Sequence, residues 1–405
     1  MKTIGYIVPS FPHLTETFVG NEIRAMQERG HTVVPIVFKR ADGLAQPEDF
    51  MLVAGAHYLE DIPTKRATDE LKRPSTQAAK ALSFVWSQKT LPRYSLFGNA
   101  LKIAAIAREH GCDHLHAHFA NFVAAHAIVA ARWSGATVSF VGHGIDVYKE
   151  PEDLELKLKS ADIAIGLSQD MSEAFTAYNA QAQVAMVPCG INVERFLPAS
   201  QRQADNGKLL FFGRLRHRKG IDDIIDAALR LGEKCPQIDI IGDGPLLDTL
   251  LKRTGEHQLL NKKITFLGSE PSGWIAMNAP NYKGIILPFK ASLDGLRDTR
   301  FLALKEAMAM GRPVITTNLK EIRDIISPDE GLIVEPANPH QLAQAILKLM
   351  ELDEQQSIQM TKAALSHVRR HFSLDAQARA LSGLFEMISP QRQTDATWKV
   401  SSCAT

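Results

Sequence analysis

One stretch of the sequence decides the fold: Asp294-Gly-Leu-Arg-Asp-Thr-Arg-Phe-Leu-Ala-Leu-Lys-Glu-Ala-Met-Ala-Met-Gly-Arg-Pro-Val-Ile-Thr-Thr317. A polar, glycine-bearing loop leads into a helical pattern, which Gly311 and Pro313 end before a β-branched strand. The first N–H groups of a helix lack partners within the helix, so its start favours an anion. Asp298 precedes the helix, and Glu306 lies two turns further on about the same side. The stretch therefore predicts a helix–strand unit that suits a ligand with a phosphate and several hydroxyls.

Short β-rich runs alternate with amphipathic helical patterns along the rest of the chain. Helical patterns are predicted at 16–29, 120–133, 220–232, 244–256 and 338–351. Twelve strands are predicted in two runs of six, at 3–8, 32–38, 113–119, 137–142, 162–167 and 184–187, then at 208–213, 237–242, 263–267, 284–288, 313–317 and 331–335. This alternation indicates parallel sheets covered by helices. The predicted fold class is α/β, with two doubly wound Rossmann-like domains facing across a cleft.

The domain limits follow from where this pattern is interrupted. The polar segment 198–207 has no periodic core pattern and separates an N-terminal domain, 1–198, from a C-terminal domain, 199–374. Residues 353–388 are predicted to form terminal helices, and helix 375–388 is expected to join the N-terminal domain. A disordered tail is predicted for 389–405.

The composition is that of an ordinary soluble globular protein. The chain has 405 residues, 45% hydrophobic and 22% charged, with a formal net charge of +1 that gives no electrostatic case for nucleic acid. The cysteines are scattered, which fits a reducing cytoplasm and provides no zinc or disulfide framework: Cys112, Cys189, Cys235 and Cys403. No signal peptide and no apolar run long enough to span a bilayer is seen, so a cytoplasmic location is expected.

Segment 63–110 is unusually basic. It holds nine Lys or Arg against three Asp or Glu, with interleaved aromatic residues: Phe84, Trp86, Tyr94 and Phe97. One interpretation is a set of helical hairpins that pack on the N-terminal sheet and expose their cations to solvent. The other is a basic, aromatic surface that contacts anionic lipid on the inner face of the cytoplasmic membrane.

The second domain opens with a candidate diphosphate site, Leu209-Leu-Phe-Phe-Gly-Arg-Leu-Arg-His-Arg-Lys-Gly-Ile221. A buried strand brings Gly213 and Arg214 to its carboxyl edge, where α/β sheets bind ligands, and Lys219 follows at a helix start. A forked Arg and a point-charge Lys suit a leaving diphosphate. A solvated basic turn is the alternative, because residues 214–219 include four cations, Arg214 and Lys219 among them.

Histidines mark the candidate chemistry of the first domain. His114, His116 and His118 alternate on one face of a predicted strand. Three such histidines could bind zinc, but no carboxylate or Cys at ligand spacing supports it. His143 follows a strand and precedes Gly144, so it is expected to project into the cleft, although a lone histidine is usually structural.

These motifs together resemble the retaining family-4 glycosyltransferases of the two-Rossmann GT-B type, and the resemblance spans nearly the whole chain. It is carried by Gly213-Arg-Leu-Arg-His-Arg-Lys-Gly220, His143-Gly-Ile-Asp146 and the acids Asp298 and Glu306. Phe11-Pro-His-Leu-Thr-Glu-Thr-Phe18 is similar to a branch that makes bacterial exopolysaccharides such as colanic acid. The chain departs from the family at Asp298, where a Glu is usual, and at 299–301.

The resemblance implies retaining transfer of a hexose from a nucleoside-diphosphate sugar to a hydroxyl of a saccharide acceptor, which is expected to be polyprenyl-diphosphate-linked. The N-terminal domain would bind the acceptor and the C-terminal domain the nucleotide sugar, which is the co-substrate; no other cofactor is expected. No Asp-x-Asp pair is seen, so no divalent metal is expected.

The residues assigned to catalysis are His143, Arg214, Lys219, Asp298 and Glu306. Donor contacts are further assigned to Gly213, Gly268, Thr299, Arg300 and Phe301. Acceptor contacts are assigned to Glu16, Asn21, His118 and His143.

Two other classes of protein remain open. One is a different enzyme on the same fold, a sugar-nucleotide epimerase or a phosphorylase, which its products would distinguish. The other is a non-catalytic or regulatory partner subunit, which Asp298 and the altered 299–301 run favour. A nicotinamide dehydrogenase is disfavoured because Leu247 stands where the third glycine of its fingerprint would be.

Overall fold

The computed structural model describes residues 1–13, 17–41, 47–196, 205–292 and 297–388. Glu16, most of the predicted interdomain segment and the predicted tail 389–405 lie outside these ranges.

The N-terminal part of the chain forms a parallel sheet with strand order β3-β2-β1-β4-β5-β6-β7. The strands are β1 (Thr3–Phe11), β2 (Thr32–Arg40), β3 (His57–Tyr58), β4 (His114–His118), β5 (Thr137–Val141), β6 (Ile163–Gly166) and β7 (Val184–Met186). The chain reverses direction across the sheet between β1 and β4, which are hydrogen-bonded neighbours. The two-residue β3 was not predicted, because so short a strand has no periodic signal.

The second sheet has the order β10-β9-β8-β11-β12-β13, again with every pairing parallel. Its strands are β8 (Leu209–Phe212), β9 (Ile238–Ile241), β10 (Ile264–Gly268), β11 (Gly284–Leu287), β12 (Val314–Thr317) and β13 (Leu332–Val334). Here the reversal falls between β8 and β11. The prediction of an α/β fold with two doubly wound sheets is confirmed.

Helices cover both sheets and supply the amphipathic patterns of the sequence. They are α1 (Thr17–Glu28), α2 (Phe50–Ala54), α3 (Thr64–Leu71), α4 (Ala78–Ser87), α5 (Arg93–Glu109), α6 (Phe122–Ser134), α7 (Leu154–Ser160), α8 (Gln169–Tyr178), α9 (Ile221–Leu231), α10 (Leu247–Glu256), α11 (Ser272–Asn278), α12 (Leu302–Ala309), α13 (Pro339–Glu351), α14 (Glu354–His371) and α15 (Leu374–Met387). Because helices lie on both faces, even the polar side chains of the central strands are buried. In β4, for example, every residue is buried.

The last helix returns to the first sheet. The ring of Phe385 lies 4.4 Å from that of His114, and His31 shares a 2.8 Å hydrogen bond with Ser382. α15 therefore packs beside α1 over the amino-terminal half of the chain, although it follows the second sheet in sequence.

Segment 63–110 folds as α3, α4 and α5 against the N-terminal core. Phe84 is buried and Phe97 packs edge-on against Trp133, whereas Trp86 and Tyr94 are 64% and 96% exposed. Two of the four aromatic residues thus serve the core, as the first interpretation predicted. None of the helices in the described ranges combines the length and apolar character needed to cross a bilayer.

Candidate active site

The two reversal points of the sheets define the candidate site. In doubly wound sheets, ligands bind beyond the carboxyl ends of the strands at such points. The loop after β5 meets the segment before α12 directly, because the Thr299 hydroxyl donates a 3.2 Å hydrogen bond to the carbonyl of His143. A Cβ on Gly144, whose φ is +112°, would lie 3.0 Å from the carbonyl oxygen of Arg297. The first-domain histidine and the second-domain acids therefore share one cleft.

A cavity of about 510 Å³ opens at the carboxyl ends of β8 and β9. Its walls include the residues predicted from the Gly-Arg motif, Gly213 and Arg214, together with Glu306 from α12. Gly268 was expected to contact the donor; the two residues that follow it, Ser269 and Glu270, line this cavity. Three of the predicted donor residues are thus brought to one cavity of a size that suits a nucleotide.

Glu306 is half-buried in this cavity. Burial raises its pKa from 4.5 to about 7, against the opposing influence of Arg195 and Lys219. A carboxyl group near neutrality changes from hydrogen-bond donor to acceptor within the physiological range. The ionised form is the one that would accept bonds from ribose hydroxyls.

Lys219 and Asp298 form an ion pair in the cleft. The Lys219 Nζ lies 2.6 Å from Oδ2 of Asp298, and the other carboxylate oxygen lies 3.5 Å from the backbone nitrogen of Phe301, at the start of α12. Burial opposes the charge on Asp298, but Lys219 outweighs it and holds the pKa below its usual value. The Asp298 carboxylate thus lies at the start of α12, where the sequence predicted that an anionic ligand would bind.

The three residues after Asp298, which were predicted to contact the donor, contact other parts of the protein in this structure. Thr299 is buried against the first domain, and the Arg300 guanidinium lies 4.3 Å above the ring of Phe18. Phe301 is 3% exposed and packs edge-on against Phe289, in the left-handed conformation with φ +42°. In this arrangement the side chains of Thr299 and Arg300 contact the first domain and that of Phe301 packs in the core. Their donor contacts stay predictions.

His143 is held from several sides. Its backbone nitrogen donates to Asp146 at 2.9 Å, and Asp146 also accepts from the nitrogen of Ala120. Its ring lies 4.3 Å from Phe119 and 4.9 Å from Phe18. Burial, with the nearby His118 and Arg300, lowers the pKa of His143 well below 6.5, which makes the ring neutral. A neutral imidazole in a fixed position can orient a sugar hydroxyl.

His118 and Asn21, which were predicted to contact the acceptor, each contact a neighbouring side chain. His118 is fully buried and lies behind His143, with its Nδ1 3.2 Å from the Nε2 of His143. Asn21, on α1, accepts a 2.7 Å hydrogen bond from Arg24. His118 would therefore reach an acceptor only through His143.

Sequence reasoning missed Glu22, which lies beside the histidines of β4. This α1 residue is 5% exposed, and its Oε1 lies 3.5 Å from the Nε2 of His116 and 3.3 Å from that of His118. Burial would raise the pKa of Glu22, but His118 and His116 outweigh burial and lower it. No local spacing links Glu22 to β4; only the β1–β4 pairing places α1 over these histidines.

A second missed group joins the domains at the edge of the cleft. Asp170 of α8 is 7% exposed and accepts hydrogen bonds from Tyr148 and from Arg297, which stacks 4.5 Å above the Tyr148 ring. Lys320 adds a 2.8 Å ion pair to Asp170. One buried carboxylate thus binds two cations of the second domain.

Solved structures with similar folds are glycosyltransferases. A glycosyltransferase from Rickettsia africae ESF-5 aligns with a TM-score of 0.74 at 18% identity, covering 95% of this chain and 98% of that one. Anabaena Alr3699/HepE, solved in complex with UDP-glucose, aligns with a TM-score of 0.69 at 16% identity, covering 96% and 100%. At these identities the likeness shows a shared GT-B fold.

Two relatives that match along nearly the whole chain come from exopolysaccharide biosynthesis. The putative colanic acid biosynthesis glycosyltransferase WcaL of Escherichia coli (strain K12) is 25% identical over 408 residues, covering 95% of this chain and 100% of that protein. The amylovoran biosynthesis glycosyltransferase AmsK of Erwinia amylovora is 23% identical over 412 residues, covering 95% and 99%.

Two family models match in succession along the chain. Residues 15–195 match the model described as Glycosyltransferase Family 4, and residues 206–352 match the model described as Glycosyl transferases group 1. The first match contains every strand of the first sheet except β1, and the second contains all six strands of the second sheet. The chain therefore belongs to the glycosyltransferases that join a Family 4 domain to a group 1 domain.

Proposed function

We propose that this glycosyltransferase moves a hexose from a nucleoside-diphosphate sugar to a hydroxyl of a saccharide acceptor, with retention of configuration. The observation that carries the proposal is that Gly213, Arg214 and Glu306 line one cavity at the β8 end of the second sheet. His143 and Asp298 lie in the adjoining cleft, where the two domains touch. These positions support a path along which a diphosphate, hydroxyls and a sugar would bind.

Each residue has a role that its chemistry supports. Arg214 and Lys219 stabilise the negative charge that develops on the leaving diphosphate. Glu306 accepts hydrogen bonds from the ribose, and Asp298 and His143 orient the donor sugar. No side chain is assigned as a nucleophile, because the acceptor hydroxyl is proposed to attack the face from which the diphosphate departs.

Asp298 has to share Lys219 with the donor. In the free protein Lys219 is paired with the Asp298 carboxylate, so a diphosphate must displace that carboxylate to bind the lysine. We propose that the donor takes over Lys219 and that Asp298 turns to a sugar hydroxyl. This exchange would couple occupation of the diphosphate site to the orientation of the sugar.

The saccharide acceptor is proposed to be polyprenyl-diphosphate-linked, in exopolysaccharide or surface glycan synthesis at the inner face of the cytoplasmic membrane. WcaL and AmsK, which match along nearly the whole chain, support the exopolysaccharide part of this proposal. The exposed Trp86 and Tyr94 provide the membrane contact, with the Arg93 guanidinium 4.7 Å above the Trp86 ring.

Vesicle binding tests the membrane contact. Anionic vesicles should retain the protein, salt should weaken the binding, and Trp86→Ala should weaken it further. Phe84→Leu is the matched control, since Phe84 is buried in the same helix. Equal partitioning onto neutral vesicles would contradict an electrostatic contact with lipid.

The first experiment is thermal stabilisation by UDP-, GDP-, dTDP- and ADP-sugars. One nucleotide class should raise the melting temperature, and Arg214→Ala should abolish the shift. The HepE complex with UDP-glucose makes UDP-sugars the first to test. Product analysis then separates a new glycosidic bond from an isomerised nucleotide sugar or a sugar phosphate.

Turnover tests the roles of the two cations. Arg214→Ala and Lys219→Ala should each lower kcat by about two to three orders of magnitude, because each removes a preorganised charge donor. Arg230→Ala, in the last turn of α9, is a control outside the cavity. Activity within about tenfold of the parent in both cleft variants would refute their assignment.

The diphosphate is proposed to need no divalent cation, since Arg214 and Lys219 supply the positive charge. Brief treatment with EDTA should leave the rate unchanged. Strong inhibition that added Mg²⁺ or Mn²⁺ reverses would reject this metal-free mechanism.

A non-catalytic partner subunit is the second candidate function. The ion pair between Lys219 and Asp298 favours it, because the pair occupies the cation of the donor site. Nucleotide-sugar binding without turnover, with every acceptor tested, would support this alternative.

A further inference from the structure

Three buried side chains of the metal-ligating kind converge behind His143. They are Glu22 of α1 and His116 and His118 of β4, exposed by 5%, 0% and 0%. One ligand atom from each side chain lies within 4.8 Å of those from the other two, and the Glu22 Oε1 lies close to the Nε2 atoms of both histidines. Among the described residues, none of the three atoms has a hydrogen-bond partner. Buried polar atoms rarely lack a partner, because each unpaired atom costs free energy of folding.

The other polar atoms of these side chains are already engaged. His116 uses Nδ1 towards the Ser139 hydroxyl at 2.7 Å, and His118 uses Nδ1 towards His143. The second oxygen of Glu22 accepts a 2.7 Å hydrogen bond from Gln377. Metal-binding histidines and carboxylates are characteristically held by such outer partners.

The hydrogen bonds along β4 determine where the protons lie. The Thr137 hydroxyl donates to the carbonyl of Asp113, so it accepts from Nδ1 of His114. With one proton on each ring, Nε2 of His114 accepts from Ser139, which therefore accepts from Nδ1 of His116. The lone pair of the His116 Nε2 then faces the carboxylate of Glu22 across 3.5 Å. Two acceptors facing each other in a dry interior need a proton or a metal cation between them.

The two distances from the Glu22 Oε1 fit a tetrahedral metal. Ligand atoms about 2.0–2.1 Å from a zinc ion lie roughly 3.3 Å from one another. The Glu22 Oε1 lies 3.3 Å from the Nε2 of His118 and 3.5 Å from that of His116. Two histidines and one glutamate are also a ligand set that zinc enzymes use. The Tyr6 hydroxyl, buried without a partner among the described residues, stands by this cluster, with its ring 5.0 Å from that of His116.

We infer that Glu22, His116 and His118 bind one transition-metal ion, with zinc the best match to the ligands. The sequence instead grouped His114 with the other two histidines of β4 and led to the expectation that no metal is bound. In the structure, Thr137 and Ser139 engage both ring nitrogens of His114, so His114 is not a ligand. The ion lies in the first domain, behind His143, so it does not take part in binding the diphosphate.

The ion would set the hydrogen-bonding role of His143. Metal on the Nε2 of His118 leaves the proton of that ring on Nδ1, which donates to the Nε2 of His143. The proton of His143 then lies on Nδ1, an atom without a partner among the described residues. The Nδ1 of His143 would therefore be a donor, and not an acceptor, for a ligand that reaches it.

Metal analysis tests the site without any transfer assay. Untagged protein from zinc-supplemented cells, purified without chelators, should contain about one zinc ion per chain. Glu22→Gln, which keeps the shape and a partner for Gln377, should reduce the content by about tenfold or more. His143→Ala is the matched control, because it removes a neighbour of His118 but no ligand, and it should retain zinc.

Cobalt gives a second readout that does not depend on the variant folding. Wild-type protein refolded with Co²⁺ should show the visible absorption of tetrahedral cobalt without a thiolate band, since no cysteine belongs to the ligand set. Folded wild-type protein that contains less than about a tenth of an ion per chain, and takes up neither Zn²⁺ nor Co²⁺, would overturn the inference. This outcome would leave the proposed transferase function untouched.

Discussion

Glu306 is the residue whose ionisation should control both stability and donor binding. Its pKa is about 7 in the folded chain and 4.5 in its ordinary state, so between these values the folded state holds a proton that the unfolded state releases. The contribution to stability is full below about pH 4.5 and is lost as the pH rises through about 7. We expect Glu306→Gln to be more stable than the parent at pH 8, by on the order of 1–2 kcal/mol, and to bind donor more weakly.

Melting curves of the parent and Glu306→Gln at pH 5 and pH 8 measure this effect. The difference between the two proteins should grow with pH. The same difference at both pH values would show that Glu306 does not titrate in this range.

Asp298 makes a separate residue-scale prediction through its ion pair with Lys219. Asp298→Asn should free the lysine, so a nucleoside diphosphate should bind several-fold more tightly while kcat falls. Asp298→Glu, which restores the acid usual in the family, should keep the charge and most of the turnover. Weaker diphosphate binding by the Asn variant would contradict competition for Lys219.

The loop between β5 and α7 is the element that brings the two domains together. Gly144 permits this contact, because it adopts a positive φ and has the Arg297 carbonyl beside its α-carbon. Gly144→Ala should lower kcat/KM by roughly tenfold to a hundredfold, since a displacement of about 1 Å at a reacting centre has this effect.

Gly135→Ala is the matched control for backbone strain. Its φ is +89°, but nothing lies within 4 Å of an added Cβ. Both variants should lose on the order of 1 kcal/mol of stability from the positive φ, and only Gly144→Ala should lose activity. Similar kinetics in the two variants would show that contact at Gly144 is not required.

At the scale of the whole molecule, Asp170 joins the two domains. Burial alone would raise its pKa, but Lys320, Tyr148 and Arg297 outweigh burial and lower it. Its stabilising effect is therefore present above the ordinary carboxyl pKa of 3.8 and is lost as the pH falls below it. Asp170→Asn should cost on the order of 1 kcal/mol at neutral pH and let the domains separate, which small-angle X-ray scattering would detect as a larger radius of gyration.

Glu173→Gln is the control for this interface. Glu173 also binds Lys320 at 2.8 Å, but its side chain is 52% exposed, so solvent screens the pair and little change is expected. An equal effect of the two substitutions would show that burial of Asp170 is not what holds the domains together.

Much of the fold was predictable because strand runs and helical periodicity are local properties. The buried β-branched run at 314–317 and the helix before it appear where the sequence predicts them. The motifs also led to the second-domain cavity, because Gly213 follows β8 and the helix that carries Glu306 follows β11, so both lie towards the carboxyl edge of the sheet. The assignments of individual donor and acceptor residues stay predictions.

By itself, the sequence determined the two parallel sheets and the glycosyltransferase family, because periodicity and motif order can be read along one dimension. Only the tertiary structure decided that Glu22 meets His116 and His118, that Asp298 occupies Lys219, and that Thr299 and Arg300 contact the first domain. The physical reason is that periodicity shows which face of an element is buried. Which other element covers that face depends on strand order and on how the domains dock, and neither is a local property of the chain.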